Sequence, residues 1–252
     1  MRSSTGRTAK LGGAIAFIGA LAAAAAAGSG LADGAVPAGP LAKVLAHFQA
    51  AASPDQAGQV RRAVLSSPSL EAQLERLTAT GRLKRIALAA PGDPRLAGSP
   101  FAARAVGDEI VMTADFLQAQ APRRLLDVVR PEDVLPDNLV FVLGHLAEHL
   151  EHPLRLEGPR PSREAYIALR LADEAKAYAA GWNDMVESSV GADASVPRVG
   201  SALLNFRYRG VFIKAMRSEK DLLSPSGKID PTPANLAAIA QALGTTPMAD
   251  FE

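Results

Sequence analysis

Between Ser162 and Glu187 the chain carries one long helical pattern, in which Ile167, Leu171, Tyr178, Trp182 and Met185 form an apolar stripe. A helix of this length must lay such a stripe on a second element, so the fold is organised around a helix-on-helix contact. In the middle of the stripe, where another hydrophobe belongs, stands Glu174. A carboxylate in an apolar seam is costly unless it is paired, hydrogen-bonded or bound to a metal. Its neighbour Asp173 sits about 100° round the helix and is read as pointing away from the seam.

The preceding helix offers a partner for that carboxylate. The stretch "GHLAEHLEH", Gly144 to His152, holds three of the four histidines of the chain. Asp137 reads as the N-cap of a helix from about Asn138 to His152, which Pro153 stops. Leu139, Leu143, Leu146 and Leu150 make one stripe of it, while His145 and His149 lie together on a different face. His152 is about 10 Å along the axis from His145, too far to share an ion, and belongs to the surface near the helix end. His47, beside Val44 and Phe48 on an earlier helix, reads as a partly buried or surface residue rather than a ligand. Cysteine is absent, so any metal must sit on His, Asp or Glu. Two neutral imidazoles from one helix and Glu174 from the next give zinc three ligands and leave its fourth position open. The competing reading is a solvated helix rich in His and Glu, with Glu174 in an ion pair. Arg170 and Lys176 are near in sequence but off the stripe, which makes them imperfect partners.

The rest of the 252 residues divides around these two helices. Arg2, Arg7 and Lys10 precede the apolar run Leu11 to Ala27, and small residues follow, so residues 1–32 read as an export signal. The run is also long enough for an uncleaved membrane anchor. The expected location is periplasmic or secreted. Residues 33–82 read as a segment of three short helices. From Leu83, "RLKRIALAA" and "FAARAVGDEIVMTADFL" have strand character interrupted at Gly107-Asp108, which predicts a small sheet of about three strands ahead of the histidine helix. Residues 83–187 form the expected core, and 188–252 a linker, "SSVGADASVPRVG", followed by two helices, "SALLNFRYRGVFIKAM" and "TPANLAAIAQAL". The fold class is therefore α+β, mainly helical. Lys and Arg number 27 against 26 Asp and Glu, spread evenly, so no basic stripe for nucleic acid is expected. The nucleophile elbow GxSxG and Gly-rich phosphate loops are missing as well.

A strand "DEIVMTADFL", a helix with His145 and His149, and a later helix with Glu174 in "ADEAKAYAAGW" resemble the gluzincin branch of the zincin metallopeptidases over roughly Leu83 to Glu187. The resemblance implies zinc on His145, His149 and Glu174, and a peptide or protein substrate lying along the strand at Ile110, Val111, Met112 and Thr113. The family motif HExxH places its general base directly after the first histidine, where this chain has Leu146. Leucine cannot take a proton. The same letters, "HLAEH", also match the inverted motif HxxEH of the inverzincins, in which Glu148 would be the catalytic base. On a helical wheel Glu148 is about 60° from His145 and 100° from His149, on the flank opposite to position 146.

Three functions fit this pattern. One is a zincin-like zinc protein whose peptidase activity is altered or lost. Another is an active metallopeptidase that uses Glu148. The third is a non-enzymatic periplasmic helical protein that binds a partner through its N-terminal helices or through "NFRYRG", whose Arg207, Tyr208 and Arg209 could equally cap a core carboxylate.

Overall fold

Short helices here begin where a capping side chain meets a proline. The structure, a computed structural model, describes residues 39–97, 102–119, 138–156, 158–188 and 208–245, all within one unit of the chain. Helices α1 (Pro40–Ala51), α2 (Pro54–Leu65) and α3 (Pro68–Ala79) each place Pro at the first position, where its missing N–H costs nothing. Ser53 and Gln56 close a capping box on α2, and Ser67 accepts from the Leu70 amide on α3. Their inner faces, Leu41, Val44 and Phe48, then Val60 and Val64, then Leu70, Leu74 and Leu77, are buried together. His47 is exposed.

Strands β1 (Arg85–Ala89), β2 (Ala103–Val106) and β3 (Glu109–Thr113) form the expected small sheet, in the order β1-β3-β2. Gly107, at φ 63°, opens the two-residue turn that folds β2 antiparallel on β3, while β1 runs parallel to β3. A six-residue helix, α4 (Ala114–Ala119), follows.

Helix α5 (Leu139–Glu151) starts at Asn138, whose side chain accepts from the amides of Val140 and Phe141. The cap expected at Asp137 is thus one residue further on, and Asp137 lies outside the described residues. Ten of its positions, from Leu139 to Ala147 and Leu150, are buried, so α5 is enclosed on nearly every side. This exceeds the single leucine stripe expected, because α5 contacts α2, α3 and β2 as well as the long helix α6 (Arg163–Ser188). Ser162 caps α6 through the amide of Ala165. Phe141 lies against Gly181 while His149 lies near Glu174, so the two helices run antiparallel.

The C-terminal part of α6 is fixed by helices α7 (Arg209–Ser218) and α8 (Pro233–Gly244). Trp182 packs its ring 4.4 Å from that of Phe212 and donates to the Gly227 carbonyl. Asn183 makes two hydrogen bonds to the backbone of Ile229, which straps the connection between α7 and α8 to α6. At the other end, the apolar stripe expected on α6 stops short. Leu171 is half-buried, but Ile167, Tyr166 and Leu169 are exposed, because α5 ends at Glu151 and no other described element covers the first two turns of α6. The export signal expected at 1–32 and, apart from Ser188 at the end of α6, the linker expected from Ser188 to Gly200 lie outside the described residues. No described helix is long and apolar enough to cross a membrane.

Candidate metal centre

One turn separates His145 from His149 on α5, so both imidazoles leave the helix in nearly the same direction. That direction is toward α6. The approach of the two helices is set by Gly144 and Gly181: a Cβ on Gly181 would fall 2.5 Å from the Phe141 carbonyl oxygen, and one on Gly144 would fall 3.2 Å from the Cα of Gly181. The close crossing delivers the Glu174 carboxylate to the imidazoles two turns away. His145 Nε2 and His149 Nε2 stand 3.1 Å apart, and Glu174 Oε2 is 3.3 Å from the first and 3.6 Å from the second. His145, His149 and Glu174 therefore form a group able to hold a metal ion.

The spacing can be tested against zinc. Ligands about 2.0–2.1 Å from a tetrahedral ion lie about 3.3 Å from one another. The three donor atoms match one face of such a shell. A point at that bond length from all three lies about 0.7 Å outside their plane, the height a tetrahedral centre has above a face. Among the described residues none supplies a ligand at the fourth corner.

Burial and charge decide the protonation of the group. His145 is 2% exposed, with Phe141 and Tyr178 against its ring, and this desolvation pulls it down and keeps it neutral. Burial also works against charge on His149, but hydrogen bonds to Asp173 and Glu174 outweigh it and raise the imidazole to about 9. Glu174, 5% exposed, would be pushed up by burial alone; hydrogen bonds from His145 and His149 hold it far below the usual carboxylate range. A proton on His149 and a metal ion compete for the same Nε2.

Two further residues belong to the centre that the sequence pattern did not select. Asp173, read as pointing away, has Oδ2 3.3 Å from His149 Nδ1, the carboxylate–histidine arrangement that orients a metal-ligating imidazole. Arg170, read as an imperfect partner, donates from Nη2 to Glu174 Oε1 at 3.0 Å. The signal for both was their spacing from Glu174 on one helix, i−4 for the arginine and i−1 for the aspartate. The side chain of Arg170 is 39% exposed and that of His149 is 19%, so solvent reaches the centre from this side.

The other expected site residues lie elsewhere. Glu148 turns to the opposite flank, where Oε1 is 3.0 Å from His152 Nδ1 and Oε2 accepts weakly from Gln73 at 3.5 Å. Leu146 is buried in the core. Ile110, Val111, Met112 and Thr113 do not offer the edge expected of a substrate strand. They occupy β3, the middle strand, paired on both sides, and the first three are fully buried. A peptide cannot add to a strand whose backbone groups are already taken, so that expectation is corrected. Tyr208 is buried beside Phe141, Arg209 is exposed, and Arg207 lies outside the described residues. No protein-family model, curated protein or solved structure matches this chain.

Proposed function

We propose that the chain is an exported zinc metallopeptidase-like protein in which His145, His149 and Glu174 hold the ion, with peptidase activity altered or lost because Leu146 stands in the place of the usual base. The observation that carries this reading is the convergence of three donor atoms from two helices at 3.1, 3.3 and 3.6 Å. When bound, zinc supplies Lewis acidity and lowers the pKa of water in its open position. The residues of the chain supply the rest. Asp173 fixes the orientation of His149, Glu174 contributes the negative charge, and the rings of Phe141 and Tyr178 exclude water from the core side of His145. A peptide or protein ligand would approach past His149 and Arg170.

Purified protein is expected to retain one zinc per chain after mild dialysis, by elemental analysis. Glu174→Ala should lower zinc affinity by more than the about 10–100-fold typical of a change behind the ligands. The pairing of Arg170 with Glu174 favours a second reading, a structural ion-pair cluster on the helix seam. Metal-free protein that takes up zinc weakly, and equally so as Glu174→Ala, would establish that second reading.

A general base must come within about 3 Å of the proton it removes, or reach it through one water. Leu146 offers no acceptor, and Glu148 is engaged with His152 and Gln73. Hydrolysis of a mixed peptide library is therefore expected to be very slow and little changed by Glu148→Gln, while Leu146→Glu, which would bury an unpaired carboxylate in the core, should destabilise the chain without restoring activity. An active natural protein silenced by Glu148→Gln would instead establish the inverted motif.

A further inference from the structure

We propose that Arg170 is a positioning residue that restricts Glu174 to ligation through one oxygen and so keeps the fourth metal position open; the inference rests on the zinc reading of this centre. The two oxygens of the Glu174 carboxylate are chemically equivalent, yet α6 gives them different surroundings. Oε2 faces the imidazoles at 3.3 and 3.6 Å, whereas Oε1 accepts from Arg170 Nη2 at 3.0 Å. A charge-assisted bond of this kind is roughly twice as strong as a neutral one. The other end of the guanidinium, Nη1, is 3.6 Å from Asp173 Oδ2, the same oxygen that stands behind His149. One planar cation thus touches both the ligand carboxylate and the carboxylate that orients a ligand imidazole.

The arrangement has a definite consequence for coordination. Carboxylates bind cations through one oxygen or two. Rotation of Glu174 to bring Oε1 inward requires the bond to Arg170 to break, and while that bond lasts the metal receives three protein donors. Without the guanidinium, Oε1 is free to join Oε2 and crowd the fourth position. The side chains also bring two carboxylates, Asp173 and Glu174, side by side, and Arg170 offsets their repulsion. A purely structural ion pair would use the same contacts, but its removal would change stability and leave coordination number alone.

Cobalt(II), added at one equivalent to metal-stripped full-length protein, reports coordination number through the intensity of its visible absorption. The natural protein is expected to give the intense bands of a four-coordinate site. Arg170→Met, which keeps the partly exposed stem and removes every donor, should still bind one cobalt per chain, with bands severalfold weaker. Arg170→Lys should recover part of the intensity, because one ammonium can still hold Oε1. Bands equally intense in all three proteins would overturn the proposal and leave the zinc reading standing. Weak bands in the natural protein, unaffected by His145→Ala, would overturn both. Should Arg170→Met fail to fold, as judged by circular dichroism, Arg170→Ala, which also removes every donor, takes its place: bands as intense as the natural protein's refute the proposal, and weaker ones support it.

Discussion

Gly181→Ala is expected to destabilise the chain by about 1–3 kcal/mol, although alanine favours a helix over glycine by about 1 kcal/mol. Sterics outweigh propensity here because the new Cβ would lie 2.5 Å from the Phe141 carbonyl oxygen and 2.9 and 3.1 Å from its ring carbons. Neither obstacle can give way. The carbonyl is part of α5, and the ring is wedged among Tyr178, Tyr208 and Phe212, with centroids 5.4, 6.0 and 6.2 Å away. The helices must therefore part. Glu174 lies two turns back along α6, about 10 Å away, so the parting also carries its carboxylate off the imidazoles. Gly210, on α7, is the control. No described residue stands within 4 Å of a Cβ there, and Gly210→Ala should stabilise by a few tenths to about 1 kcal/mol. Urea unfolding of both variants, with zinc and without, measures the effect; equal stabilities would show that the α5–α6 crossing is not set by Gly181.

The parts of the site that were legible in the sequence are those fixed by the helical period. Imidazoles four residues apart share a face whatever they pack on, and a carboxylate at the apolar phase of α6 had to meet something on α5. What the period does not supply is the distance between axes. Gly144 and Gly181 set that distance, and neither is distinguishable in sequence from a glycine that merely weakens a helix. Asp173 departs from its expected direction for the same reason: at a wide crossing it points to solvent, and at this narrow one it reaches His149 Nδ1. The sheet shows a similar division. Gly107-Asp108 marked the β2–β3 hairpin, but strand order depends on contacts distant in sequence, and the insertion of β3 between β1 and β2 removed the free edge that Ile110 to Thr113 were expected to offer. The exposed Ile167 follows from the lengths of the helices, since α5 ends opposite Arg170 and the seam ends with it.

Asp184→Asn is expected to abolish part of the pH dependence of stability. Asp184 is 4% exposed on α6, over Gly144, where a Cβ would fall within 2.2 Å of its Oδ2. Burial raises its carboxyl to about 7; a hydrogen bond from Ser67 at 3.3 Å opposes this, Glu187 and Glu148 add to it, and Lys228 subtracts from it. The folded state therefore holds the proton more tightly than the unfolded chain, in which the group titrates near 3.8. The resulting stabilisation is complete below that value and is lost as pH rises to about 7. At about 1.4 kcal/mol per pH unit, the natural protein should lose about 3 kcal/mol more than Asp184→Asn between pH 5 and pH 8. Glu187, held down to about 2 chiefly by hydrogen bonds from Ser67 and the Ser69 amide against the opposing effect of burial, stays ionised across this window. His149, raised to about 9 in the fold, titrates above this window there and near 6.5 in the unfolded chain, but it does so in both proteins, so the difference between them isolates Asp184. Denaturant unfolding in the presence of a chelator, at several pH values, gives the two slopes. Parallel curves would mean that Asp184 is already ionised in the fold at pH 5 and that the space over Gly144 admits enough water to solvate it.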